Sequence, residues 1–381
     1  TGGRSMGASD DGRYVLVTDP SGNLTTISNR SLYLRDTVSG TLTPVADSNS
    51  SISAARITPD GRYVAYSDGQ VKLFDRTTGV SEVVSRTPSG SSSSGTFFGE
   101  VDLSDDGRYV VFRGSAADLL TGFVDGNGIQ DDVYLRDRQL GTTVLVNHVP
   151  ASNTTSGNRG FGQHLQLSDD GTRVVFDSTA SNLAPNDNNG TNGLDLFAYS
   201  VSGANVALVS VDATGSAATS IDFTVSADGN LITFSSRGGN LVMGEFGTHI
   251  YLRDLVAATT QLIDVRASDS LPSSGASGVP KITPDGRYVL FESNSSNLTP
   301  GFSSAGTGNI FVRDRVAGRT MLVSAAARQW GAKPEDCRVE RGLILVRGAV
   351  PGAPNGVVIV RQALKPKPDP QPQTEKKKGK K

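Results

Sequence analysis

Six times along this chain, Ser or Thr opens a four-residue phrase that closes on Asp-Gly: at Ser9, Thr58, Ser104, Ser168, Ser226 and Thr283. A worn copy stands at Val339-Glu340-Arg341-Gly342. The residues just before each Gly are numbers 11, 60, 106, 170, 228, 285 and 341, spaced 46 to 64 apart. Self-similarity at such a period means one supersecondary unit repeated, each burying its apolar face against its neighbours. For a chain of 381 residues, long enough for two or three domains, it argues for one large repeated body instead.

The unit from Ser104 to Asn147 reads as four short strands. The first, Glu100 to Leu103, runs into the Asp-Gly turn, whose residues tolerate the positive φ of a hairpin tip. The second, Arg108 to Phe112, is apolar on both faces, as suits a strand between packed neighbours. The third is Val133-Tyr134-Leu135-Arg136-Asp137, with counterparts at Leu32 to Asp36, Ile250 to Asp254 and Ile310 to Asp314. A Gly follows that Asp by four residues at Gly40, Gly79, Gly141 and Gly318, whereas the fifth repeat carries Ala258 there. The fourth strand is the Thr-rich run after it. No window carries the 3.6-residue apolar period of a helix. Four antiparallel strands repeated in this way predict an all-β β-propeller, most simply of seven blades with the last incomplete, the alternative being six blades and a C-terminal extension. The blades are expected at about 1–47, 52–86, 97–147, 162–211, 219–265, 278–324 and 334–364.

The phrase Ser/Thr-Asp/Pro-Asp-Gly-Arg-Tyr-Val-x-Phe, followed by Tyr-Leu-Arg-Asp, resembles the repeat of TolB-like β-propellers, also called the WD-like propeller repeat. The resemblance covers roughly residues 5 to 325. It implies a bacterial envelope or secreted protein, periplasmic or extracellular, built on a general-purpose scaffold.

Charge is nearly balanced at −2 overall but unevenly placed. The stretch Lys365 to Lys381 holds seven Lys against one Asp and one Glu, a net +5, so the preceding residues carry −7. Its alternating Pro predicts a disordered tail suited to contact an anionic polymer or a membrane surface. No aromatic residues interleave those lysines, which argues against nucleic acid. With the single Cys337 no intrachain disulfide can form. Neither a signal core nor a run long enough to span a membrane is visible.

Blades 3, 4 and 6 share a longer insertion between their second and third strands. In blade 3 it carries Asp125, Asn127, Asp131 and Asp132 around Gly126 and Gly128. In blade 4 it carries Asp187, Asn189 and Asp195 around Gly190. Alternating carboxylate and amide oxygens at a Gly turn can wrap a hard cation, so both are candidate Ca²⁺ loops, the blade 4 one with stretched spacing and both lacking a closing bidentate Glu. The same residues also make ordinary tight turns. Blade 6 has Phe302 to Gly306 instead and no expected metal.

No catalytic constellation stands out. Gly3-Arg4-Ser5-Met6-Gly7 matches a nucleophile elbow in letters, but a blade strand follows it rather than a helix. The three histidines, His148, His164 and His249, fall in different repeats. Trp330 and Cys337 read as packing residues. The expectation is therefore a non-catalytic scaffold, not an enzyme and without a required cofactor, holding a protein or peptide partner at one face. The alternative is a channel-sited polysaccharide lyase or hydrolase, which requires His164 or His249 to enter the channel beside carboxylates.

Overall fold

The computed structural model describes residues 4–18, 32–46, 52–97, 99–188, 190, 193–212, 218–237, 241, 247–269, 271–300, 308–323, 337–340, 343–347 and 357–360. Asn189, Trp330, the blade 6 segment 302–306 and the Lys/Pro tail lie outside them. Every extended element among the described residues is a β-strand. Six four-stranded antiparallel sheets each use consecutive strands in simple up-and-down order, and residues 337–360 contribute a three-stranded sheet. In blade 3 the strands are Val101–Leu103, Tyr109–Gly114, Asp132–Asp137 and Thr142–Leu145. The first strands of the six four-stranded sheets are Arg4–Ala8, Ala54–Ile57, Val101–Leu103, Phe161–Leu167, Ser220–Val225 and Ser277–Ile282. These first strands contact one another in succession, which places them innermost around a central channel. The molecule is a β-propeller. No helix among the described residues is long and apolar enough to cross a membrane.

The recurring phrase is physically one device. In blade 3, Ser104 Oγ donates to Asp106 Oδ1 at 2.6 Å and accepts the Tyr109 N–H at 3.0 Å. Asp106 Oδ1 also accepts the Arg108 N–H at 2.9 Å. Gly107 sits at φ +67°, and a Cβ there would lie 2.3 Å from the Tyr63 ring of blade 2. Gly is thus required twice, by its backbone angle and by the neighbouring blade. The two halves of the repeat are joined by an ion pair from the Arg after Asp-Gly to the Asp ending the third strand. These pairs are Arg13–Asp36 at 2.9 Å, Arg62–Asp75 at 3.0 Å, Arg108–Asp137 at 2.6 Å and Arg287–Asp314 at 3.0 Å.

The core repeats as well. Directly opposed residues of the second and third strands form a stacked aromatic pair in each of blades 3 to 6. They are Phe112–Tyr134, Phe176–Phe197, Phe234–Tyr251 and Phe291–Phe311, with ring centroids 5.7 to 5.9 Å apart. Ala258, where blades 1, 2, 3 and 6 have Gly, is held at φ +54°. Because a Cβ is disfavoured there and the site is exposed, Ala258→Gly should raise stability by about 1 kcal/mol in a denaturant melt.

Candidate functional site in the central channel

The repeated residues are occupied with holding blades together, so a site must come from positions where the blades differ. Two and four residues ahead of each Ser/Thr are such positions. The nearer set reads Arg56, Asp102, Gln166, Thr224 and Lys281 in blades 2 to 6, and the farther set Ala54, Glu100, His164, Asp222 and Val279. All but Ala54 line one cavity of about 560 Å³ in the channel. One fold position is filled by a cation, an anion, an amide, a hydroxyl and a second cation in turn.

Bulges set the directions of these side chains. The inner strands of blades 4, 5 and 6 slip register between Phe161 and Leu165, Ser220 and Phe223, and Gly278 and Lys281. A bulge bends a strand and re-aims its side chains. His164 lies in the first of these. The buried Asp177 fixes it: Oδ1 accepts the Gln163 and His164 N–H groups at 2.7 and 2.9 Å, and Oδ2 lies 3.2 Å from His164 Nδ1. That bond assigns the proton to Nδ1 and leaves Nε2 as a base, while the side chain stays 47% exposed to the channel.

The acidic residues of blade 3 hold the next blade. Glu100 Oε2 accepts the Leu165 N–H at 2.8 Å and Asp102 Oδ2 the Leu167 N–H at 3.0 Å. Burial pushes the Asp102 carboxyl up, and Arg56, whose Nε is 4.0 Å from Oδ1, works against that. Burial pulls the Lys281 ammonium down, opposed by Asp222 and reinforced by Arg56. Thr224 Oγ1 accepts the Ile282 N–H at 3.0 Å, tying blade 5 to blade 6.

The other two histidines are elsewhere. His148 is buried, with Nδ1 2.9 Å from the Val149 carbonyl oxygen and its ring edge-on to Tyr199. His249 is buried with Nδ1 2.8 Å from Asp264 Oδ2. Linear reading missed Arg56, Glu100, Asp102, Gln166, Asp222 and Lys281, although aligning the repeats and asking which positions vary would have found them.

The candidate Ca²⁺ residues lie in the two insertions, away from the channel cavity. In blade 3, Asp132 Oδ1 accepts from Asn127 Nδ2 at 2.7 Å and from Asn147 Nδ2 at 2.8 Å. Asp125 Oδ1 accepts the Asn127 and Gly128 N–H groups, and Asp131 Oδ2 stands 3.6 Å from Arg113. These carboxylates are therefore partnered, whereas the buried Asn127 Oδ1 has no hydrogen-bond partner. In blade 4, Asp195 starts a strand and is buried. Asp187 is 9% exposed, and neither of its carboxylate oxygens has a hydrogen-bond partner. No group of three or more His, Cys, Asp or Glu among the described residues is arranged to hold a metal ion.

No family model matches the chain. The large ribosomal subunit protein uL3 of Roseiflexus sp. (strain RS-1) is 41% identical over 68 residues, 17% of this chain and 31% of that protein. Among solved structures, dipeptidyl peptidase 4 of Porphyromonas gingivalis aligns with a TM-score of 0.53 at 13% identity, over 83% of this chain and 45% of the peptidase. An oligogalacturonate lyase in complex with manganese aligns with a TM-score of 0.52 at 14% identity, over 90% of this chain and 84% of the lyase. The oligogalacturonate lyase of Vibrio parahaemolyticus gives 0.52 at 13%, over 91% and 86%. The chain therefore spans less than half of the peptidase and about a third of uL3, but most of the lyases. At these identities the structural likenesses establish the propeller fold.

They also correct one expectation. The peptidase and the two lyases that share this fold are enzymes by name, and they contradict the reading of the chain as a non-catalytic scaffold and not an enzyme. The physical reason is that a channel site draws one residue from each of several blades. No two members need be close in sequence, so the absence of a linear motif carries little weight.

Proposed function

We propose that the channel is a catalytic site that cleaves an acidic polysaccharide by β-elimination. The observation that carries this reading is His164, fixed by Asp177 in the same cavity as Arg56 and Lys281. Elimination from a uronic acid needs a base for the proton on C5, next to the carboxylate, and a cation to take up the charge that develops there. His164 Nε2 is the base and Arg56 binds the carboxylate. The C5–H electron pair forms the C4=C5 double bond, the C4–O bond breaks, and Lys281, made more acidic by burial, protonates the leaving oxygen. The two lyases among the fold's neighbours act, by name, on oligogalacturonate, which is such a substrate. Hydrolysis by paired carboxylates fits less well, because Glu100 and Asp102 already accept backbone N–H groups. The manganese of one lyase structure finds no matching cluster of His, Cys, Asp and Glu among the described residues, so no step runs through it.

The direct test is incubation with oligouronates, following the ultraviolet absorbance of the unsaturated product. Rising absorbance supports elimination. New reducing ends without absorbance would replace it with hydrolysis, and neither signal across uronate polymers would end the polysaccharide reading. The repeat phrase supports membership of the TolB-like repeat family and, through it, a periplasmic or extracellular site.

Asp187 supports a cation site in the blade 4 insertion, with Asp195 eight residues on and further oxygens from amides, carbonyls and water. Burial pushes the Asp187 carboxyl up to about 6. A carboxyl raised in the folded state costs stability as pH climbs from its ordinary value through 6, and the full cost is present at neutral pH. In chelator at pH 7, Asp187→Asn should therefore be more stable than the parent by about 1–3 kcal/mol. In excess Ca²⁺ the order should reverse. A parent melting temperature indifferent to Ca²⁺ and chelator would remove the site.

A further inference from the structure

Arginine closes the seams between blades in a recurring way. In blade 2, Arg76 donates from Nε to the Gly61 carbonyl at 2.9 Å and lies 4.1 Å over the Tyr14 ring of blade 1. In blade 3, Arg138 donates to the Gly107 carbonyl at 2.5 Å and lies 5.0 Å over Tyr63 of blade 2. In blade 6, Arg315 donates to the Gly286 carbonyl at 2.6 Å, beside Leu231 of blade 5. Each is the residue just after the third strand, and each has the same backbone anchor. The N–H groups of Arg76, Arg138 and Arg315 bond the carbonyls of Arg62, Arg108 and Arg287.

In blade 4 the anchor is kept, Val201 N–H to the Thr172 carbonyl at 3.0 Å, but the side chain is Val201. The other parts of the arrangement remain. A Cβ on Gly171 would lie 2.5 Å from the Tyr109 ring, so glycine and tyrosine meet as they do at the first two seams. Tyr109 has its own Arg108 at 4.7 Å, as Tyr14 has Arg13 at 5.0 Å, but no Arg from the following blade. Blade 5 also lacks the arginine, with Leu255 in its place, but there Arg173 replaces the tyrosine and its stem packs against Gly229. Among the five described seams, only that between blades 3 and 4 keeps the tyrosine and lacks the cation. What remains is a cleft of about 470 Å³ lined by Tyr109, Val144, Val201 and Gly171, with Asp170 and the Arg108–Asp137 ion pair beside them.

We propose that this cleft binds an arginine side chain presented by a peptide segment of a partner, held on the Tyr109 ring and at the Gly171 carbonyl as Arg76 and Arg138 are held at their own seams. The chemistry is specific to a guanidinium. Its flat face stacks on an aromatic ring while its edge donates to a carbonyl, and with Asp137 paired to Arg108, Asp170 is the carboxylate left to face it. An ammonium offers no flat face. The site is separate from the channel and does not depend on the reaction proposed there.

The test titrates the whole chain with acetyl-Gly-Gly-Arg-Gly-Gly-amide and with its citrulline and lysine counterparts, by calorimetry or by NMR of the Tyr109 ring. Citrulline keeps the shape and removes the charge. The arginine peptide should bind at least tenfold more tightly than either. Val201→Arg supplies the missing side chain in cis; it should abolish peptide binding and raise the melting temperature. Tyr109→Leu, which retains an apolar wall, should weaken binding about tenfold and keeps the test decisive if Val201→Arg folds poorly. No saturable binding of the arginine peptide, equal binding of the citrulline or lysine peptide, or undiminished binding to Val201→Arg would overturn the proposal.

Discussion

Replacing His164 with glutamine is expected to lower kcat on an oligouronate by about 10²–10⁴-fold, the contribution a positioned general base makes. The effect should fall on kcat rather than on the fold. His164 is 47% exposed in the channel wall, and the blade is tied through the His164 and Gln163 backbone N–H groups to Asp177, bonds that glutamine keeps. Asp177→Asn separates placement from chemistry. It retains an acceptor for the backbone but no longer holds the imidazole with its proton on Nδ1, so it should lose much of the same activity. Activity within a few fold of the parent in His164→Gln, with an unchanged melting temperature, would remove His164 as the base. Arg56→Ala should raise KM as well as lower kcat, because Arg56 is assigned to the bound carboxylate.

Phe176→Ala should cost about 3–5 kcal/mol, enough to unfold a marginal domain. Phe176 is fully buried, stacks on Phe197 at 5.7 Å and belongs to the cluster that joins blades 3 and 4 through Val111, Val133 and Leu167. Deleting the ring leaves a cavity between rigid sheets, which cannot collapse to fill it. Phe176→Leu, which keeps most of the volume, should cost distinctly less. Equal destabilisation by the two in denaturant melts would mean that ring stacking rather than volume dominates this core.

The propeller was legible because its causes are local and repeated. Ser104, Asp106 and Gly107 build their hairpin from neighbours within five residues, and the pattern recurs often enough to rise above chance. The candidate site was not legible by the same means. Glu100 and His164 lie 64 positions apart, and a Glu100 oxygen nevertheless reaches the N–H of Leu165. The sequence offered His164 and His249 alike as the channel histidine. Burial separates them: His148 and His249 are packed in blade bodies, and a bulge brings His164 to the channel. The candidate cation residues were read from composition. Satisfaction of hydrogen bonds then distinguished Asp132, which has amide donors, from Asp187, which has none.

The sequence alone determined the strand order and the turns and hence the propeller, since each arises from contacts inside one repeat or identical contacts between repeats. Only the tertiary structure decided which residues share the channel, which histidine is exposed there, and which seam lacks its arginine. Those facts depend on the packing of the inner strands in succession, which brings the same strand position of several blades to one cavity regardless of the length of chain between them.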